Sequence, residues 1–286
     1  VDSQNKSLFA AHSMEAPCDL AAALAPPASK GHFDELRGLQ NPSQSQTQSL
    51  GSSQSQSQSQ GQSQSHIASA VSPAWTSFFN FLGSDGFHDL NHRSANLRRQ
   101  IRDNGVTYNV YADANGPQRP WSLDLFPLII SPEDWAGIAS GITQRTRLLN
   151  HIMADVYGPQ NLLKQGLLPV ALVQGHSGYL RAMQGVQPAG GMFLHIAAFD
   201  MARGPDGKWW VVSQRTQAPS GLGYLLENRL SISMLFSEAF QGMQVQRLAE
   251  SYKALVESMK TLSAVADSRI VLLTPGPYNE TYFEHA

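Results

Sequence analysis

Chemistry-bearing residues are densest at Arg215-Thr216-Gln217-Ala218-Pro219-Ser220-Gly221-Leu222-Gly223-Tyr224-Leu225, followed at once by Leu226-Glu227-Asn228-Arg229. The stretch mixes arginines, hydroxyls, a proline, two glycines and a Glu-Asn-Arg triplet. A core strand has no use for that mixture, whereas a loop that presents backbone and polar groups to a ligand has. Arg215 and Arg229 could take a carboxylate or phosphate through paired hydrogen bonds. Gly221 and Gly223 permit close backbone approach. A plainer use is also open: Glu227-Asn228-Arg229 could simply knit a buried loop to the core. The stretch follows apolar Trp209-Trp210-Val211-Val212 and precedes a helical pattern. Strand ends and helix starts are where α/β proteins hold anions and substrates.

Two further places carry candidate chemistry. Asp200 ends one expected strand, and Ser213-Gln214-Arg215 ends its expected partner. Antiparallel pairing brings them to one rim, where a carboxylate could hold a divalent ion that clamps phosphates. Alternatively, Asp200 pairs with Arg203 or Arg215 as a structural ion pair. The turn at 274–280 resembles an anion cradle: an apolar strand, a glycine, then a helix start. It lacks the Gly-Lys-Ser/Thr ending of a P-loop, and Pro275 and Pro277 remove two amide donors. There is no Gly-x-Ser-x-Gly elbow and no His-Glu-x-x-His zinc helix. His176 and His195 stand alone and suit structural hydrogen bonding. Asp200 and Glu227 could form an acid pair, but no spacing demands it.

These residues must be positioned by elements legible in the pattern. Trp75, Phe78, Phe79 and Leu82 fall at helical spacing. A second helix is expected over 85–102, with Leu90, Leu97 and Ile101 on one face and His88, His92, Arg93, Arg98 and Arg99 on a solvated basic side. Residues 106–111 alternate as a strand. Ser131-Pro132-Glu133-Asp134 opens the clearest helix, with cap, first-turn proline and acids in order. Its expected buried stripe is Trp135, Ile138, Ile142, Leu149, Ile152, Val156 and Tyr157, and Gly158-Pro159 stops it. Short helices are expected over 160–165 and 178–183. Residues 192–201 predict a strand, Gly204-Pro205-Asp206-Gly207 a turn and 208–213 the return strand. Helices over 224–236 and 248–262, a short buried strand over 269–274 and a terminal helix complete an α/β pattern.

The chain has 286 residues and a formal net charge of −2. It has no basic field to gather nucleic acid or an acidic membrane. Cys18 is the single cysteine, which excludes an internal disulfide framework or a thiolate zinc cluster and suits a cytoplasmic setting. No run approaches the about 20 apolar residues of a membrane span. The residues after Val1 lack the basic start and apolar centre of a signal peptide, and the Ala-rich stretch 20–28 is short and broken by proline. Residues 41–66 are almost only Ser and Gln, too polar to offset chain entropy. The expectation is a disordered tail over 1–72, an open alternative being an ordered patch at Gly31-His32-Phe33-Asp34-Glu35-Leu36. Two further units are expected: 73–268, a helical region with the hairpin, and 269–286, the start of another α/β lobe. The Val1 start and the unterminated helix at Tyr282-Phe283-Glu284-His285-Ala286 suggest a protein that continues.

Five segments carry a family resemblance: Ile101-Arg-Asp-Asn-Gly-Val-Thr-Tyr-Asn-Val-Tyr111, Trp121-Ser-Leu-Asp-Leu-Phe-Pro-Leu128, Arg215-Thr-Gln-Ala-Pro-Ser-Gly221, Leu226-Glu-Asn-Arg229 and Leu273-Thr-Pro-Gly-Pro-Tyr-Asn-Glu-Thr-Tyr-Phe-Glu-His-Ala286. Across residues 73–286 the chain resembles the circularly permuted type 2 ATP-grasp proteins, similar in turn to glutathionylspermidine synthase-like ligases. The resemblance implies an ATP-grasp fold with α/β (α+β) elements in permuted order, truncated before the nucleotide-clamping lobe. It implies ATP and Mg2+ as cofactors, carboxylate and amine substrates, and a protein partner or further C-terminal domain. It assigns Asp200 to the metal and Arg215 to catalysis. Arg215, Ser220 and Gly221 fall to phosphate binding, and Asn228, Arg229, Tyr278 and Asn279 to the substrate. There is one departure. Many relatives carry Glu-Asp-Asn where this chain has Ser213-Gln214-Arg215, putting a cation at the place of a metal ligand. Two functions follow: an ATP-dependent carboxylate–amine ligase, or a non-catalytic binding or scaffold protein on the same fold.

Overall fold

The computed structural model describes residues 16–38, 71–108, 119–265, 267–274, 276 and 279–285. Its elements are α1 (Pro17–Leu24), α2 (Pro73–His88), α3 (Leu90–Asp103), β1 (Thr107–Tyr108), β2 (Arg119–Pro120), α4 (Pro132–Val156), α5 (Asn161–Lys164) and α6 (Val170–Gln174). There follow β3 (Ala198–Arg203), β4 (Trp209–Arg215), α7 (Leu222–Leu235), α8 (Ser237–Gly242) and α9 (Ala249–Lys260), with a last 3-10 turn at Tyr282–Glu284. Both sheets are two-stranded antiparallel ribbons, β1–β2 and β3–β4. The mixed class holds, but as α+β: no parallel layer forms among the described residues. Nor is any described helix long and apolar enough to cross a membrane.

Aromatic packing builds the main core. Phe78, Phe79 and Phe87 of α2 are buried with Ile232, Phe236 and Ala239, and Trp75 lies against them. Phe78 and Phe236 meet edge to face at 5.1 Å. A ring buried in this way contributes about 1.5–3 kcal/mol. Leu97, Ile101, Val106 and Tyr224 form a second cluster. Trp121 stacks on Tyr224 at 4.4 Å, and Phe283 covers it from the C-terminal turn.

Part of the expected tail is structured. Pro17 opens α1, and its Leu20 and Ala21 are buried against Phe78 and Phe79. The Ala-rich stretch therefore folds because it finds a partner surface. The patch after it is ordered too. Arg37 is buried, pairs with Asp34 at 3.1 Å and donates to the carbonyls of Ala22 and Ala25 at 2.8 and 2.7 Å. A guanidinium thus satisfies the last carbonyls of α1. The Ser/Gln tract 41–66 lies outside the described residues.

Several boundaries move. The first break falls at Gly83, whose φ of 65° only glycine adopts without strain. The next falls at Asp89, so the second helix starts at Leu90. Arg93 leaves the expected solvated side, donates to the Leu235 carbonyl and lies 5.4 Å from the Phe236 ring. In α4, Ser131 caps as expected, but Trp135 is 47 % exposed. Of the expected helix over 178–183 only a 3-10 turn, Arg181–Met183, forms. The strand expected from 192 begins at Ala198, because Asn150 Oδ1 takes the amides of Phe193 and Leu194 before a ladder can. The buried strand over 269–274 is corrected outright: no strand forms there, and Leu273 is 95 % exposed. Among the described residues no neighbouring strand offers it a ladder.

Candidate functional site

The β3–β4 hairpin has two unlike faces. Register pairs Ala198 with Arg215, Asp200 with Ser213 and Ala202 with Trp210. Successive strand residues alternate faces, so these share one side. That side is open: Asp200, Ser213 and Arg215 are exposed, and Trp210 is 61 % exposed. The other side, Phe199, Met201, Arg203, Trp209 and Val211, is half-buried. A bulge lies between Asp200 and Met201, where the strands slip register. Such bulges twist a ribbon and re-aim the side chains beside them.

Arg203 ties the covered face down. Its guanidinium lies 4.0 Å from the Phe33 ring and 5.2 Å from that of Trp209. It bonds Asp134 at 2.9 Å, pairs with Glu35 at 3.4 Å and donates from Nε to the Gly207 carbonyl at 3.1 Å. Thus the N-terminal patch, the start of α4 and the hairpin converge on one cation.

On the open face Asp200 finds its partner in Arg215, not Arg203. Arg215 Nη2 donates to Asp200 Oδ1 at 2.9 Å, and the Ser213 hydroxyl donates to Oδ2. The side chains remain 57 % and 49 % exposed for Arg215 and Asp200. Such an exposed pair contributes about 0–1 kcal/mol, so it orients side chains more than it stabilises the fold. Across the strand, Arg145 of α4 reaches Gln214 Oε1 at 3.4 Å.

Beyond Arg215 the loop 216–218 and Ser220 are exposed, and α7 begins at Leu222. The expected anion site at that helix start is filled from within. Gly221 donates to both Glu284 carboxylate oxygens at 2.8 Å, and Gly223 donates to Oε1 at 2.9 Å. Tyr224 N adds a longer bond of 3.4 Å. Gly221 has φ 120°, and a Cβ on Gly223 would come within 3.0 Å of Glu284 Cα. Both glycines therefore serve this carboxylate. The Gly221 amide, expected to face phosphate, is engaged by Glu284 instead.

The triplet Glu227-Asn228-Arg229 lies inside α7, not in a loop, and each member ties a different segment. Glu227 accepts from Asn104 at 2.9 Å and from buried Ser231 at 3.1 Å. Asn228 accepts from the Trp121 indole at 2.9 Å. Arg229 donates to the Gln246 carbonyl at 2.9 Å and lies 5.5 Å from the Phe240 ring; burial lowers its pKa from the ordinary value. The knitting role is the one the geometry displays. Asn279 accepts from the amide and hydroxyl of Thr281 and so shapes its own turn. Tyr278 lies outside the described residues. In the turn that resembled a cradle, Gly276 donates to Thr274 Oγ1, which also meets His285 Nδ1 at 2.7 Å. His176 accepts from Gly178 N, the structural use its isolation suggested.

Glu284 and Glu280 were missed from the sequence. Glu280 accepts from the Tyr108 hydroxyl at 2.8 Å and pushes that phenol's pKa up, with burial adding to the effect. The signal available for Glu284 was the Gly221-x-Gly223 pair, which announces close approach without saying by what.

A profile of the family described as circularly permuted ATP-grasp type 2 matches residues 127–286. The chain belongs to this family. Its relatives include an uncharacterized protein of Synechocystis sp., 37 % identical over 184 residues, covering 64 % of this chain and 38 % of the relative. An uncharacterized protein of Mycobacterium tuberculosis is 34 % identical over 200 residues, covering 69 % and 36 %. A second from the same organism is 33 % identical over 226 residues, covering 76 % and 26 %. The chain thus spans well under half the length of the curated relatives it matches.

ATP-grasp proteins generally use ATP and Mg2+, and the residues present can be tested against both. A triphosphate is offered one guanidinium, Arg215, at an open strand end with exposed Ser220 beyond it. The amides at the start of α7 are not free for it. Magnesium does not fit the rim as arranged. Both Asp200 oxygens are engaged, a guanidinium stands beside them, and no cluster of three acidic, His or Cys ligands occurs among the described residues.

Proposed function

We propose that this chain takes part in ATP-dependent carboxylate–amine ligation, with the open face of the β3–β4 hairpin and the loop after it turned toward the nucleotide phosphates. In such a reaction ATP phosphorylates the carboxylate, and an amine displaces phosphate to leave an amide, ADP and inorganic phosphate. The observation that carries the proposal is a continuous path: an uncovered strand end bearing Arg215, an exposed loop bearing Ser220, and a helix start whose geometry is already fixed by Glu284. Arg215 contacts phosphate and offsets the charge that develops on it; Ser220 adds a hydroxyl. Positioning and charge neutralisation of this kind supply most of the rate in phosphoryl transfer. Asn228 and Arg229 act at one remove, holding α7 to Trp121 and to the Gln246 backbone. A cytoplasmic setting suits ATP and the single cysteine.

A second function, binding without catalysis, is favoured by one observation. Asp200 is neutralised by Arg215 instead of standing free for a metal. Hydroxylamine separates the two, because it traps an activated carboxylate as a hydroxamate. With the protein, ATP, Mg2+ and a panel of carboxylates, ligation predicts carboxylate-dependent ADP and hydroxamate in equal amounts. ATP binding with no ADP from any member of the panel would leave only the binding role.

A further inference from the structure

The metal that the family implies and the side chains on the hairpin rim disagree, and the disagreement has a direction. Magnesium demands a nearly octahedral shell of oxygens and surrenders its waters reluctantly. On the open face it would meet one carboxylate, Asp200, and one neutral hydroxyl, Ser213. Ala198, Ala202 and Trp210, which share that face, bring no side-chain oxygen. Asp200 Oδ1 is held by Arg215 and Oδ2 by Ser213. A divalent ion would have to expel a guanidinium from its carboxylate and then sit beside that positive charge.

The same contacts suit another ligand. A guanidinium carries five N–H donors in a rigid fork, and a carboxylate on one edge fixes the direction of the others. Asp200 is itself held by the Ser213 hydroxyl, and the Arg215 side chain stays largely exposed. We infer that this rim has exchanged a divalent cation for a fixed guanidinium: Arg215, oriented by Asp200 and Ser213, takes a phosphate oxyanion directly and needs no metal to do so. This rests on the phosphate-facing role proposed above. Metal needed elsewhere in the reaction is not touched by it.

The test is calorimetric titration of the full chain with tripolyphosphate, in EDTA and then in Mg2+. Binding is expected in EDTA, without tightening when Mg2+ replaces the chelator. Arg215→Ala weakens it about tenfold, the loss of a charge-assisted hydrogen bond. Arg215→Lys falls between, since it keeps charge without the fork; it also serves if the alanine variant does not fold. Replacing both Ser213→Glu and Arg215→Asn frees Asp200 and adds a carboxylate and an amide oxygen, so binding becomes magnesium-dependent. Tripolyphosphate that binds only with Mg2+, binds Arg215→Ala as tightly as the parent, or does not bind at all overturns the inference. Ligation is judged separately. Metal-free binding with no ADP keeps the rim and ends the ligase; ADP formation with binding indifferent to Arg215 does the reverse.

Discussion

Arg203 anchors the hairpin, whereas Arg215 leaves its end open. Arg203 lies against two rings and bonds two carboxylates in half-buried surroundings. Arg203→Ala should therefore cost about 2–4 kcal/mol in urea unfolding, since it strands Asp134 and Glu35 as well as losing packing. Arg203→Lys should recover only part, because an ammonium cannot reproduce the planar fork. A loss below about 0.5 kcal/mol for the alanine variant would place the anchor elsewhere. Two neighbouring acids give the N-terminal patch opposite pH responses. Burial pushes Asp34 up, but the amides of Ala28 and Arg37 and the Arg37 guanidinium outweigh it, and the net shift is down. Its stabilisation is present above the unfolded value near about 4 and is lost as pH falls through the folded one. Burial raises Glu35 despite Arg203, so its ionisation opposes folding and stability rises as that group protonates. Thermal unfolding across the acid range should show Asp34→Asn removing the acid-side loss and Glu35→Gln removing the gain above it; the reverse assignment contradicts both directions. Residue types were legible at this scale and partners were not. Arg215 was singled out from its loop, but the Ser213-Gln214-Arg215 string cannot say which edge of Asp200 it meets. Arg203 looked ordinary because its two rings and two acids come from residues 33–209, far apart in the chain.

Among the elements, those with an explicit cap or turn sequence fell where expected: Ser131 caps α4, and the hairpin turns at 204–207. Elements whose form depends on a neighbour did not. The largely apolar 192–197 stretch reads as part of a strand, yet Asn150 takes two of its amides. Residues 269–274 have strand composition and no described strand beside them. The C-terminal turn, conversely, gains a role no local pattern carried, because Glu284 closes the start of α7. Gly223→Ala tests that closure: its Cβ meets Glu284 Cα at 3.0 Å and Cβ at 3.1 Å. The turn should detach, and trypsin or a glutamyl protease should cut in 267–285 well before the parent chain is cut there. Glu284→Gln keeps two acceptable contacts and should stay largely resistant. Equal resistance of Gly223→Ala and parent would show that the two glycines do not exist to receive this turn.

At the scale of the whole molecule, two aromatic clusters hold the helices, while the open face of the hairpin and the run Ile270-Val271-Leu272-Leu273 stay uncovered. The 270–273 run is an exposed apolar patch, and contiguous patches of that kind favour association. Replacing Val271 and Leu273 with Ser should lower self-association in sedimentation experiments without lowering the unfolding midpoint, because neither side chain is packed; a fall in the midpoint would mean that the run is part of a core. Family membership was legible from long segments such as 273–286, and the Ser213-Gln214-Arg215 departure already put a cation at the place of a metal ligand; the contacts that Ser213 and Arg215 make with Asp200 were not legible, because they depend on exposed side chains. Under the proposed function, the strand end and loop, residues 212–220, face the phosphates. Hydrogen exchange read by mass spectrometry, with and without saturating ATP, tests it most directly. Slower exchange in peptides covering 212–220 is the predicted result. Bound ATP that leaves those peptides unchanged, with all protection elsewhere, would contradict it.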